Sequence, residues 1–427
     1  MSTTTQAKLS PVHGGLFRPV NRIEPRDRTN FPAWRAYPKL DVTEVDRSTL
    51  FRIADGTLSP LTGPMGKADY DSVLDKGAIR RGDKEWAWTI PIILPVTDEE
   101  AARIPLGKDV GLWHEGEVFG RLLAREVFDW DKPHFLEAVY GTSRVDHPGA
   151  RLWTSDSRTK LVAGDITLAS QVDARPFAKR VTRPMDARGL IERKGYELTV
   201  AFQTRNPLHR AHEYALVYGA EKLLRETGKK IGVILNPLVG QLKGDDVPAA
   251  TRMETYEALV EGRFLGQGDV DQSLWDKHGQ NLNDQLELLG LDIRMFYGGP
   301  KEAVMHAIYR QNLGFTHFIV GRKHADAPYD DKSAIWGDFD AQTIFQRLGG
   351  ALSIQTVNVG FAAYFEEIGR VGLVEDNPGK TQVTISGTKM RETLGKGEMP
   401  DARVMRPSTA KVLAAYYQAQ DKAQGRA

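Results

Sequence analysis

Cysteine is absent from the chain. That excludes disulfides, a thiol nucleophile and thiolate-held zinc or iron–sulfur centres. An excess of one charge is missing too: 57 basic residues stand against 56 acidic ones, mixed along the chain, for a formal net charge of +1. Such a balance gives no electrostatic reason to bind nucleic acid or a membrane surface. No run nears the ~18 consecutive apolar residues of a membrane span, and no basic segment with an apolar core behind it opens the chain. A cytoplasmic protein is expected. Two nucleotide fingerprints also fail. No GxGxxG follows the first strand of the α/β region, so NAD is not indicated, and the P-loop-like NPGKT at 377–381 finds Val374 where that motif needs glycine.

At 427 residues the chain is long enough for two or three domains. The first dozen residues are rich in Thr and Ser and are expected to be disordered. From 18 to 181 the sequence is dense in Pro, Gly and Trp, with short apolar runs such as 86–96, the pattern of a β-rich module. Trp86 and Trp88 alternate with Ala87 and Thr89 at strand period; with no basic stripe beside them they read as packing residues rather than base-stacking ones. Near Arg183 an alternation begins: strand 199–202, helix to 226, strand 231–235, helix 249–262, strand 292–296, helix 301–312, strand 317–320. Strands alternating with long helices imply a parallel, Rossmann-like sheet. After 350 a smaller unit remains, with a strand at 353–357, an apolar stretch at 360–365 and a helical terminus opened by 385–391. The expected domains are 1–182, 183–350 and 351–427.

The chain is organised around residues 198–216, LTVAFQTRNPLHRAHEYAL. An apolar run stops abruptly at Gln203, Thr204, Arg205 and Asn206; Pro207 closes the turn, and apolar residues then recur at helical spacing. A helix N-terminus behind a parallel strand is an anion site. With Pro207 in the first turn, His209 and His212 fall three apart on one helical face, where both rings reach the same anion. A metal site is the weaker reading, because zinc needs three or four ligands and the other histidines are scattered singly. Two further loops follow strands of the same sheet. Residues 236–240 and Lys243-Gly244-Asp245-Asp246 read as a mobile lid, and Gly321-Arg322-Lys323-His324-Ala325 offers a glycine for close approach and basic groups for phosphates.

QTRNPLHRAH at 203–212 resembles the QxRNPxHxxH signature of the ATP sulfurylase (sulfate adenylyltransferase) family, related to the HxGH nucleotidyltransferases. GRKHA at 321–325 resembles the family's GRDHA loop, FDAQ at 339–342 its [YF]DAQ, and ISGTKMR at 385–391 its ISGTxxR. LSPLTGPMGKADY at 58–70 and His147-Pro148-Gly149 are similar to its N-terminal segments. The resemblance implies an N-terminal PUA-like β-rich domain, a Rossmann-like nucleotidyltransferase domain and a small C-terminal α/β domain capping the nucleotide. It implies in-line attack of sulfate on the α-phosphorus of MgATP, giving adenosine 5′-phosphosulfate and pyrophosphate, in a homodimer without a fused adenylylsulfate kinase. Gln203, Arg205 and the backbone N–H of Ala325 would contact sulfate. Thr204 and Asn206 would lie at the phosphates, Gly321, Arg322, Lys323 and His324 along the nucleotide, Ala362 behind the adenine, and His209 and His212 would stabilise the transition state. Lys323 stands where the family has Asp, and Asp326-Ala327-Pro328 replaces its glycine-rich continuation; Lys323 is expected to point at the phosphates. Two other readings stay open: adenylylation of a different oxyanion, and a catalytically inactive nucleotide or oxyanion binder.

Overall fold

The computed structural model describes residues 8–240, 242, 246–384 and 387–423. Residues 1–7 lie outside that set, but from Lys8 on the chain is tied down rather than disordered. Lys8 N donates to Tyr196 O, Ser10 N to Gly314 O, and His13 N to the Asn312 side chain.

The N-terminal domain is built on a six-stranded sheet. Ile23–Glu24, Lys160–Ala169, Glu117–Asp129, Asp109–His114 and Lys39–Asp41 lie side by side in that order, and Pro95–Val96 pairs with Lys160–Ala169. Trp86 lies in a separate hairpin, Ala78–Arg81 with Lys84–Ala87, opposite Ile79, and both Trp86 and Trp88 are buried in the core as expected. That core runs without a break into the next domain. Trp153 stacks on Phe296 at 5.9 Å, its indole N–H donates to the Tyr140 hydroxyl, and the hydroxyl donates to Phe296 O.

Five parallel strands form the second sheet, in the order Leu286–Leu288, Ile231–Leu235, Leu198–Phe202, His317–Val320, Gln355–Asn358. Every residue of Leu198–Phe202, Ile231–Leu235 and His317–Val320 is buried, which is why these strands read as apolar runs without alternation. Two expectations need correction. The segment 292–296 forms no ladder; the strand is Leu286–Leu288, and the later residues run buried between the domains. The sheet also continues past 350, because Gln355–Asn358 is its edge strand. The helix Arg210–Thr227 lies close on the sheet because Gly219 has no Cβ; one there would stand 2.7 Å from Ile319 Cδ1.

From Leu198–Phe202 the chain steps outward on one side and then returns to the other side at His317–Val320. The topological switch point therefore falls between these two strands, and a crevice opens at their carboxyl ends. Beyond it stands the small C-terminal unit. It comprises three antiparallel strands, Ala362–Phe365, Arg370–Leu373 and Gln382–Val383, and the helices Gly387–Gly395 and Pro407–Ala423 around Leu394, Met405 and Leu413. Ile385 and Ser386 of the ISGTKMR motif lie outside the described residues. No described helix is long and apolar enough to cross a membrane.

Burial holds seven of the ten histidines below the ordinary imidazole value of 6.5: His13 and His209 at about 4, with His147, His212, His306, His317 and His324 also lowered. At these rings the folded chain binds fewer protons than the unfolded one below pH 6.5, so their contribution to stability is present above that value and is lost as pH falls toward 4. Urea midpoints are expected to drop across that window. A flat profile would mean that these rings titrate freely in the folded protein.

Candidate active site

The crevice at the switch point is a cleft of about 400 Å³. It is lined from the loop after Leu198–Phe202, from the loop after His317–Val320, and from Val359 to Ala362 after the edge strand. Every site residue expected from the sequence lines it: Gln203, Thr204, Arg205, Asn206, His209, His212, Gly321, Arg322, Lys323, His324, Ala325 and Ala362.

The first loop differs from its sequence reading in one respect. Pro207 is not in the helix, which starts at Arg210; His209 is the N-cap, its Nδ1 accepting weakly from His212 N at 3.4 Å. The imidazoles stack with centroids 3.6 Å apart and planes 21° from parallel, so they do meet over the helix end. Both are neutral in the free protein. Burial depresses His209 to about 4, and burial with the neighbouring His209 depresses His212 further. Because Nδ1 of His209 is an acceptor, its proton sits on Nε2.

Several polar atoms of the cleft are buried without a partner: Gln203 Oε1, Arg205 Nη1, His212 Nδ1 and Asp326 Oδ1. Arg205 lies over the Tyr297 ring at 5.0 Å, and its Nη2 reaches Asp326 O at 3.5 Å. Buried donors are nearly always satisfied, so a free guanidinium N–H facing a cleft marks a place for an anion. Thr204 is different. Its hydroxyl donates to Asn206 O and accepts from Asn206 N, so it fixes the turn.

In the second loop Lys323 and Ala325 take left-handed backbone conformations, φ 47° and 58°, and Tyr297 facing it takes 55°. Such values in residues other than glycine cost about 1–3 kcal/mol each and persist only where the surroundings impose them. The surroundings here are visible. Lys323 N donates to Asp338 O, Ala325 O accepts from Gly299 N, and the buried His147 of the N-terminal domain donates through Nε2 to Ala327 O while its Nδ1 accepts from Gly149 N. The Ala325 N–H takes no protein partner among the described residues. The Lys323 ammonium is turned toward Asp338, 3.6 Å from Oδ1, a carboxylate it shares with Arg322, rather than being free for phosphates. Gln342 of the FDAQ motif ties two strand ends together, its amide donating to Val320 O and Val359 O.

The lid reading is corrected in part. Asn236 to Val239 are buried and bonded, Asn236 N to Phe202 O and Leu238 N to Thr204 O, and none of them lines the cleft. Lys243, Gly244 and Asp245 lie outside the described residues. Asp326, the first residue of the departure from the family's glycine-rich continuation, and Phe361 also line the cleft. Phe361, with the Arg322 guanidinium 4.3 Å above its ring, adjoins Ala362 in sequence and could have been found from that adjacency.

Two family models match the chain: residues 10–171 as a PUA-like domain and residues 178–416 as ATP-sulfurylase. A sulfate adenylyltransferase of Pyropia yezoensis is 65% identical over 419 residues, 97% of this chain and 99% of that protein. One of Deinococcus radiodurans is 36% identical over 411 residues, 96% of each. The solved structure of a hexameric APS kinase from Thiobacillus denitrificans superposes with a TM-score of 0.69 at 20% identity, across 96% of this chain and 69% of that one, which bears on the fold alone. With motifs, cleft and full-length relatives in agreement, the chain belongs to the ATP-sulfurylase family.

Proposed function

We infer that this chain is a sulfate adenylyltransferase. A sulfate oxygen attacks the α-phosphorus of ATP, the S–O–P bond forms, the bond to the bridging oxygen of the β-phosphate breaks, and pyrophosphate leaves. The observation that carries this reading is the convergence of unsatisfied donors in one cleft, Arg205 Nη1, the Ala325 N–H and two stacked neutral imidazoles, with Asp326 as the single carboxylate in the lining among the described residues.

Sulfate is already ionised, so the reaction needs no general base. It needs two anions held against each other and charge absorbed as it builds on the α- and β-phosphates. Arg205, Gln203 and the Ala325 N–H suit sulfate. Gly321, Arg322 and His324 suit the nucleotide, with Lys323 contributing its backbone to that loop, and Ala362 with Phe361 the base. A Cβ at Gly321 would meet no protein atom within 4 Å, which leaves that space to a ligand. The N–H groups of His209 and His212 gain strength as negative charge develops between them and the helix N-terminus. Thr204 and Asn206 shape the turn that presents Arg205.

Mg²⁺ fits as a companion of ATP rather than as a resident ion. Among the described residues no three His, Asp or Glu side chains are arranged to hold a metal, and Asp326 alone in the cleft has a free carboxylate oxygen. The ion would keep water and phosphate oxygens as ligands and screen the polyphosphate charge. The family resemblance further implies a cytoplasmic homodimer.

With Mg²⁺ the purified protein is expected to release pyrophosphate from ATP and sulfate, and to make ATP from pyrophosphate and adenosine 5′-phosphosulfate. A folded protein that binds nucleotide but does neither would overturn the assignment. Turnover with selenate or molybdate but not sulfate would name a different acceptor.

A further inference from the structure

Behind the second loop lies a row of three side chains that the reaction as described does not use. Glu302 and His306, one turn apart on the helix Gly299–Asn312, are both completely buried. Glu302 accepts through Oε1 from Phe296 N at 2.8 Å and through Oε2 from Gly298 N at 3.0 Å. His306 Nε2 lies 3.3 Å from Glu302 Oε1, within ion-pair range but without hydrogen-bond alignment, and its Nδ1 lies 3.0 Å from Nε2 of His324. The His324 ring lines the cleft, and its Nδ1 has no partner among the described residues.

Proton counting gives this row two states. A hydrogen bond between two imidazole nitrogens holds one proton. If Glu302 is a carboxylate, its charge favours the His306 proton on the nearby Nε2, and Nδ1 accepts from His324; His324 then shows the cleft a bare Nδ1 lone pair, which repels a phosphate oxygen. With one more proton in the row, Glu302 is a neutral carboxylic acid that no longer favours the His306 proton on Nε2, His306 Nδ1–H donates to His324, and His324 shows the cleft an N–H. Placing the extra proton on His324 instead gives the same outward donor.

We propose that Glu302 and His306 are positioning residues that set the proton of His324, so that seating a phosphate oxygen on His324 Nδ1 is coupled to the uptake of one proton. Burial supports a poised carboxyl, pushing Glu302 up to about 7. The charged and titratable groups facing the row are Arg205 from the first loop, Arg310 and Tyr309 on the same helix, Arg294 before it, and Tyr140 from the N-terminal domain. The Arg205 and Arg310 cations oppose the extra proton until an anion arrives to offset them.

This proposal rests on the nucleotide lying along Gly321 to Ala325. Its probe is adenosine 5′-phosphosulfate, which has no group of its own titrating near neutrality. Calorimetry in two buffers of different ionisation enthalpy, repeated from acid to alkaline pH, counts the protons taken up on binding. The full-length protein is expected to take up as much as one proton per site near neutrality, with affinity falling by up to about tenfold per pH unit above that region. Glu302→Gln takes the titrating carboxyl out of the row, so uptake should vanish and the pH dependence flatten. His306→Asn, which breaks the row, should also abolish uptake and serves if Glu302→Gln does not fold. Absence of uptake in the unaltered protein, or equal uptake in the unaltered protein and a folded variant that binds, overturns the proposal. Failure of the unaltered protein to bind adenosine 5′-phosphosulfate overturns the functional assignment instead.

Discussion

His212→Ala is expected to lower turnover by a factor of about 10² to 10³ with little change in ATP affinity, because a donor aimed at charge that develops only in the transition state contributes mainly there. The ring is held for that task by stacking on His209 at 3.6 Å, and its burial keeps it neutral, so it gives a hydrogen bond rather than a proton. His209 needs a different substitution, since it also caps the helix. Asparagine caps well, so His209→Asn should keep the helix start and lose the rate, separating chemistry from capping. Single-turnover rates beside equilibrium ATP binding provide the check. A variant with near-normal turnover and lost ATP affinity would place these rings in ground-state binding.

Arg406→Met should cost about 3–5 kcal/mol of stability, as expected when one partner of a buried ion pair is removed. Its Nε donates to Glu213 Oε2 at 2.6 Å, and Asp269 receives both Arg406 and Arg210. Glu213 is fully buried and, without the guanidinium, would keep only the Gly266 N–H among the described residues. The network joins the start of the helix that carries His212 to the C-terminal unit, a joint repeated by Arg210 N donating to Val404 O. Adding Glu213→Gln should recover much of the loss, since the stranded charge goes with it. Denaturant unfolding of the single and double variants measures both. A loss below about 1 kcal/mol for Arg406→Met would mean that water reaches the pair and screens it.

What could be read in advance was local. The strands Ile231–Leu235 and His317–Val320 were legible because both faces are buried, and the loop at 203–206 because polarity changes within one residue. The strand reading of 292–296 failed because burial between domains produces the same apolar pattern as a paired strand. The edge strand Gln355–Asn358 was assigned across a boundary at 350 because pairing with His317–Val320 leaves no mark on either segment. The helix start was misplaced because Pro207 fits a first turn, while capping by a histidine is a weak local signal. The groups that hold the site rigid were the least legible. Glu213 and Arg406 are 193 residues apart, and His147 and Ala327 are 180 apart, so no periodicity connects them.

The left-handed residues Tyr297, Lys323 and Ala325 set a limit on thermal adaptation. Glycine at Lys323 or Ala325 would relieve backbone strain, so selection for heat resistance alone would favour it there, whereas at Tyr297 it would strip out the buried ring beneath Arg205. Yet the same change would let the loop sample other shapes and blur the direction of the Ala325 N–H, trading turnover for endurance. Variants of this enzyme that work at high temperature should therefore gain their hardiness in the N-terminal sheet and the C-terminal helices, and leave these three positions tense.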